Sequence, residues 1–397
     1  MRFWIEQPEK KQLYTAKLIS HLIREYGHEE KLADDSVILA SLCDVTELPW
    51  LGKLRQKYPK NRIISGGHFS KIGANAMLLH SDLVWVGHIF TLLKCKTYDE
   101  VLTCGAAYAK LGQGCKADYE IEWSKCPAIQ VDPKRFYLWG GVGCKNKCKF
   151  CLTSWTEPHE ARPNIEQVVC KAKRQIGKKG SLKVISNAYS DKLGDDLVQD
   201  MLLRDMLKIR DNKKRKLIRC GVEFATEEMR KKNGKPISDI EITSAINHAR
   251  EMNFELQMFM IGGLSTWAEW MSFIELIPEG DDMKPRIFIK FTNLEYQQKT
   301  PLWQECQSAN FGNYLTTQFS KDFFATAAHK NKRVRVLPAK YPAHAIWRMI
   351  ASNVRTHGEY NAAMKLKNNE NLGEITQAFI AMAPWKNDIS NIKTYWE

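Results

Sequence analysis

Three cysteines set close together constrain this chain more than any other feature. The stretch from Trp139 to Trp155 reads W-G-G-V-G-C-K-N-K-C-K-F-C-L-T-S-W and spaces Cys144, Cys148 and Cys151 as C-x3-C-x2-C. Three thiolates on one tight loop can hold three corners of a cubane iron–sulfur cluster. A cluster bound by protein alone, or a structural zinc, needs a fourth donor. His159 and Cys170 are near enough in sequence to supply one. A zinc loop therefore stays open beside the alternative, in which the fourth iron is left for a ligand that the chain does not provide.

Around this loop the sequence alternates strand and helix patterns. Residues 1–7 suggest a short strand, and residues 11–26 set Leu13, Ala16, Leu18, Ile19, Leu22 and Ile23 at helical spacing. Residues 36–43, S-V-I-L-A-S-L-C, form a continuous apolar run suited to a buried parallel strand. A helix over 48–58 stops at Pro59. Residues 62–69 and 82–88 are then strands that run into glycine turns at Gly66-Gly67 and Gly87. This order predicts a parallel sheet covered on both faces, with ligands at the carboxyl ends of its strands. Glycines there would let the backbone approach a large planar ligand or a neighbouring domain. His68 and His88 read as polar loop residues rather than ligands. Cys95, Cys104, Cys115 and Cys126 are too widely spaced for a compact site and read as packing thiols.

The alternation continues beyond the cysteines. A helix over 163–176 precedes a strand over 181–188 with the polar end Ser186-Asn187, and a strand over 216–224, K-L-I-R-C-G-V-E-F, carries Glu223 at its end. Next come a helix over 226–232, the segment N-G-K-P with Lys235, and a helix over 239–252. The strand over 254–265 closes on Ile261-Gly262-Gly263, and that over 286–294 leads to Thr300-Pro301-Leu302.

These motifs resemble those of the radical S-adenosylmethionine (SAM) enzymes. The cysteine spacing, with Phe150 just before the third thiol, is similar to that family's cluster loop, in which SAM itself caps the fourth iron of a [4Fe-4S] cluster. R-C-G-V-E-F, K-K-N-G-K-P, F-M-I-G-G-L and T-P-L resemble the turns of its cobalamin-associated members, with Lys299 where a glycine is usual. The resemblance implies an N-terminal Rossmann-like domain of cobalamin-binding type over 1–130, a partial (β/α)6 barrel over 131–303 and a mostly helical, basic extension over 304–397. It implies that Cys144, Cys148 and Cys151 hold the cluster, and that Phe150, Ser186, Asn187, Glu223, Lys235, Ile261, Gly262 and Gly263 line SAM. Glu223 would accept the ribose hydroxyls and Lys235 would pair with the SAM carboxylate. I-I-S-G-G-H-F and S-D-L-V-W-V-G-H-I are similar to strands of the cobalamin domain, but no D-x-H-x-x-G stretch offers cobalt a histidine, and Gly87-His88 replaces the usual turn. Cobalamin binding and a vestigial scaffold both stay open. A methylthiolating enzyme, which would need three further cluster cysteines in this domain, is disfavoured.

Charge and the tail direct the substrate expectation. The formal charge of +14 favours polyanions or acidic substrates, and the tail holds the strip K-N-K-R-V-R (330–335) near Tyr341, Trp347, Tyr360, Trp385 and Tyr395. Basic residues can track phosphates while aromatics stack on bases. The expected activity is hydrogen abstraction from an unactivated carbon of a nucleic-acid base or nucleotide, in transfer RNA or viral DNA. A cobalamin-dependent methylase of a peptide or small natural product is the enzymatic alternative, and a non-catalytic zinc-stabilised nucleic-acid-binding protein the alternative from another class. The family also implies a flavodoxin-type reductase as electron donor. Eleven cysteines, an odd number, do not suit a secreted disulfide framework. With no apolar run long enough for a bilayer, a cytoplasmic protein is expected.

Overall fold

The computed structural model describes residues 1–8, 13–110, 113, 116–117, 119–186, 202–209, 217–279, 287–297, 300–303, 334–337 and 342–381. Asn187, Cys115, Lys299, Tyr341, Trp385, Tyr395 and residues 330–333 of the basic strip lie outside them.

The first apolar runs become β1 (Arg2–Glu6), β2 (Glu29–Glu30), β3 (Val37–Ser41), β4 (Arg62–Gly66), β5 (Leu83–Trp85) and β6 (Ala107–Tyr108). They form a six-stranded sheet in the order β2-β1-β3-β4-β5-β6, parallel throughout except for the antiparallel β5–β6 pair. The direction of winding reverses between β1 and β3, so the crevice of such a sheet opens beyond Glu6 and Ser41. Helices α1 (Leu13–Glu25), α2 (Leu48–Lys57) and α3 (Ser70–Leu78) turn apolar stripes onto the sheet. In α1 the stripe is Leu18, Ile19, Leu22 and Ile23, all buried as the 3.6-residue period requires.

In the second half, β7 (Ile129–Asp132) turns back antiparallel onto β8 (Arg135–Trp139), and β8 pairs in parallel with β11 (Ser181–Ile185). Between β8 and β11, the two-residue strands β9 (Gly141–Val142) and β10 (Glu160–Ala161) make an antiparallel ribbon. A four-stranded parallel sheet follows, built from β12 (Leu217–Glu223), β13 (Glu255–Gly262), β14 (Ile287–Asn293) and β15 (Val334–Leu337). Its near-continuous apolar strands, such as I-F-I-K-F in β14, suit a sheet covered on both sides.

Two expectations are corrected here. Val334–Leu337, assigned from sequence to a helical extension, is a strand in parallel register with β14. Its V-R-V-L alternation buries Val334 and exposes Arg335, which is strand periodicity hidden among basic neighbours. The tail is also no appendage. Helices Pro342–Ser352, His357–Lys365 and Leu372–Ala381 contribute Ile346, Trp347, Ile350, Ala363 and Phe379 to the same core as Leu48, Leu51 and Leu54 of α2. Trp347 is fully buried, with its indole N–H donating to the Ala363 carbonyl at 2.8 Å. A ring sealed in this way cannot stack on a base.

Candidate iron–sulfur and SAM site

The cysteine segment is a closed loop because the β9–β10 ribbon pairs Gly141 with Ala161 and Val142 with Glu160. The chain leaves and returns at one point with all three cysteines between. Inside the loop, the Cys151 amide donates to the Cys148 carbonyl at 3.1 Å, and the helix Leu152–Thr156 begins at once. The Trp155 indole also donates to the Cys148 carbonyl, at 2.8 Å. The Lys149 amide donates to the Asn233 carbonyl at 3.0 Å, while its own carbonyl accepts from the Leu302 amide at 3.1 Å. The N-G-K-P and T-P-L motifs, far away in sequence, thus both brace the loop. Phe150 packs edge-on against Phe224 with 5.5 Å between ring centroids, which ties the loop to the end of β12.

Cys148 is buried, whereas Cys144 and Cys151 are partly exposed. Burial pushes the Cys148 thiol up to about 12; the Lys235 ammonium opposes this, and Cys151, Glu223 and Cys144 add to it. Among the described residues, however, no group of three or more His, Cys, Asp and Glu side chains is gathered closely enough to hold one metal ion, the triad included. A cubane tolerates wider sulfur spacing than a lone ion because iron and sulfide atoms stand between its thiolates. Cys170 lies exposed on the helix Ile165–Ile176, whereas His159 sits at the base of the loop, where a Cβ on Gly143 would come within 2.8 Å of its Cα, and its buried Nδ1 has no hydrogen-bond partner among the described residues.

Beside Cys148 lies a buried ion pair. Lys235 Nζ is 2.6 Å from Glu223 Oε1, and the two side chains are 14% and 13% exposed. Burial works against the ammonium, but the Glu223 carboxylate outweighs it and holds Lys235 above its ordinary pKa. Glu223 has φ +76, in the left-handed region that a non-glycine residue rarely adopts, at a register shift between β12 and β13. Such a conformation costs on the order of 1 kcal/mol or more and marks a place where a side chain has been re-aimed. Gly221 makes the pair possible, because a Cβ there would overlap both the Glu223 carboxylate and the Lys235 ammonium. The sequence assigned these two residues to different parts of one ligand, and the structure brings them onto each other. Its signal was available, since a glycine two residues before a strand-end carboxylate leaves room for that carboxylate to fold back.

The remaining expected residues lie at the ends of β11 and β13. Ser186 is buried at the end of β11, placed so that a Cβ on Gly141 would come within 2.9 Å of its hydroxyl. Ile261 packs with Phe224 and Leu294 in the core, the Gly262 carbonyl accepts from the Leu294 amide at 2.9 Å, and Gly263 turns the chain with φ +126. The N-terminal glycines also pack closely within their own sheet. At Gly67 a Cβ would lie 2.5 Å from the Leu42 carbonyl, and at Gly66 it would lie 3.3 Å from that of Trp85. They admit neighbouring strand ends of their own sheet. His68 is exposed on the turn after β4, near the Lys71–Glu157 ion pair. His88 packs edge-on against Tyr119 and Trp139. Cys126 is buried and Cys95 and Cys104 pack against the core around Phe90, as expected of packing thiols.

No protein-family model matches the chain, and no curated protein matches it by sequence. Solved structures do match. The radical SAM methyltransferase TsrM from Kitasatospora setae, with cobalamin and a [4Fe-4S] cluster bound, superposes with a TM-score of 0.55 at 11% identity, covering 93% of this chain and 99% of that one. TsrM with tryptophan substrate and a SAM analogue bound superposes at 0.51 and 11% identity, over 77% of this chain and 75% of that one. The cobalamin-dependent radical SAM enzyme OxsB, with aqua-cobalamin and SAM bound, gives 0.47 at 12% identity, over 92% and 70%. The chain thus has the mixed α/β fold, with parallel sheets, of cobalamin-dependent radical SAM enzymes. Among the described residues no helix is long and apolar enough to cross a membrane.

Proposed function

We propose that this chain is a radical SAM enzyme of the cobalamin-dependent type, and that it transfers a methyl group to a small natural product or peptide. The observation that carries the reading is the likeness in fold to TsrM over nearly the whole of both chains, joined to three cysteines on one loop closed by the β9–β10 ribbon. In this reading the N-terminal sheet is the cobalamin-binding-type domain, over about 1–130. The parallel pair β8–β11 and the parallel sheet β12 to β15 would be arcs of a partial barrel that begins near residue 131 and extends past 303 to include β15.

Cys144, Cys148 and Cys151 would hold three irons, leaving the fourth to the amino and carboxylate groups of SAM. Glu223 and Lys235 form a charged floor under the loop, re-aimed by the positive φ at Glu223. Ser186, Asn187 and the Ile261-Gly262-Gly263 turn would line the rest of SAM, and Phe150 and Phe224 keep water from its cluster side. The bound groups supply an electron for the SAM sulfonium, a 5′-deoxyadenosyl radical and a methyl carrier, and a flavodoxin-type reductase would deliver that electron. A nucleic-acid substrate finds no support here: its argument rested on positive charge and tail aromatics, and Trp347 is part of the core.

Anaerobic reconstitution with iron, sulfide and hydroxocobalamin, followed by SAM and a reductant, tests the reading. The expected result is an iron–sulfide chromophore, retained corrin and reductant-dependent consumption of SAM. Zinc without iron or sulfide in the purified protein would remove it.

A further inference from the structure

Glu223 keeps a positive φ, and a strained residue of this kind persists only where the structure around it is fixed. Arg230, on the helix Glu227–Lys232, does the fixing with a side chain that is wholly buried. Its guanidinium is shared between two segments. Nη1 donates to the carbonyls of Phe224 at 3.1 Å and Ala225 at 2.9 Å, the two residues that follow Glu223. Nε donates to the Ile237 carbonyl at 2.7 Å, just past Lys235, and Nη2 pairs with Asp239 at the start of the helix Asp239–Glu251. The Arg230 carbonyl also accepts from the Lys235 amide at 2.9 Å. One residue thus ties the backbone after Glu223 to the backbone on either side of Lys235.

The turn held in this way reaches the cysteines. The Asn233 carbonyl accepts from the Lys149 amide at 3.0 Å, a Cβ on Gly234 would lie 2.4 Å from the Lys147 carbonyl, and Cys148 Sγ is 3.6 Å from the Gly234 carbonyl. A shift of the turn would therefore part Lys235 from Glu223 and disturb the cysteine loop together. A planar, rigid guanidinium suits the task because its donors hold fixed directions. Stability alone does not call for a buried cation here, since apolar residues of similar volume often replace buried ion pairs without loss.

Resting on the radical SAM reading above, we propose that Arg230 is a positioning residue of the SAM site. It sets the separation between the end of β12 and the N-G-K-P turn, and so the placement of Glu223 and Lys235 toward SAM at the cysteine loop. It acts through those two side chains.

Arg230→Lys tests this in the full chain, because a single ammonium cannot span the Phe224, Ala225 and Ile237 carbonyls as the fork does. Without any cofactor, acetic anhydride should label Lys235 about tenfold faster in the variant, as read by mass spectrometry. After reconstitution, equilibrium dialysis should show SAM binding weaker by about tenfold or more, with iron and sulfide content unchanged. The SAM-induced change in the electron paramagnetic resonance spectrum should saturate only at correspondingly higher SAM. Arg230→Met combined with Asp239→Asn removes both charges together, so that neither is stranded if the single variant does not fold, and should give the same loss. Asp239→Asn alone keeps the three carbonyl bonds and should bind SAM as the parent chain does. A merely structural role would lower the denaturation midpoint of all three variants and leave the SAM affinity of the folded protein unchanged, which would overturn the proposal. Equal weakening by Asp239→Asn alone would overturn it too, giving the effect to charge. A parent chain that binds no SAM would sink the radical SAM reading as well, whereas a parent and an Arg230→Lys variant that bind equally well would sink this proposal alone.

Discussion

The strand-end glycines of the two parallel sheets look alike in sequence and differ in what they admit. In the N-terminal sheet, Gly67 has φ +98 and is closed upon by the Leu42 carbonyl, so its missing side chain lets one strand end pack on the next. In the second sheet, Gly221 is closed upon by the Glu223 carboxylate and the Lys235 ammonium, so its missing side chain makes room for charge. Glycine at a strand end signals close approach in both. Only the partner differs, backbone in one case and a pair of charged side chains in the other.

A set of substitutions and one change of pH sharpen that contrast. The largest effect should come from Cys148→Ala, which should reduce SAM cleavage to background while far-ultraviolet circular dichroism stays unchanged. Lys235→Met should follow. Removing one partner of a buried pair strands the other, at about 3–5 kcal/mol, and chemical denaturation should show most of that loss restored by adding Glu223→Gln. Gly221→Ala and Gly67→Ala should each cost about 1–3 kcal/mol through overpacking. Only Gly221→Ala should also weaken SAM binding, by tenfold or more in equilibrium dialysis of the reconstituted protein. An equal effect of both on SAM would erase the distinction between the sheets.

The smallest effect is on pH dependence. His80 is held at about 4, chiefly by burial, against His357 and Tyr360 of the C-terminal helices. The unfolded chain takes up this proton near 6.5 and the folded chain near 4, so its contribution to stability is full above about pH 6.5 and is lost as pH falls toward 4. Thermal melts between these values should show the decline, and His80→Gln should flatten it.

Much of this was legible because local period and turn chemistry agreed with the final packing. The strands expected over 216–224, 254–265 and 286–294 are β12, β13 and β14, and the cysteine loop was readable from spacing alone. What escaped depends on contacts that spacing does not encode. Lys235 finds Glu223 through a bulge and a positive φ, features set by tertiary packing. Arg348 reaches Asp44 across 304 positions of sequence. β15 was hidden by the basic residues around it, whose charges masked its alternation. Trp347 joins the core unannounced, because an amphipathic helix with a buried Trp has the same composition as an exposed aromatic and basic surface.

The central claim is that one iron of the cluster is left without a protein ligand, and it can be tested directly. The electron paramagnetic resonance spectrum of the reduced, reconstituted protein should be recorded before and after SAM is added. A changed spectrum, with about four irons and four sulfides per chain, is the predicted result. A spectrum indifferent to SAM would mean that a side chain already holds that iron, and the account would fail.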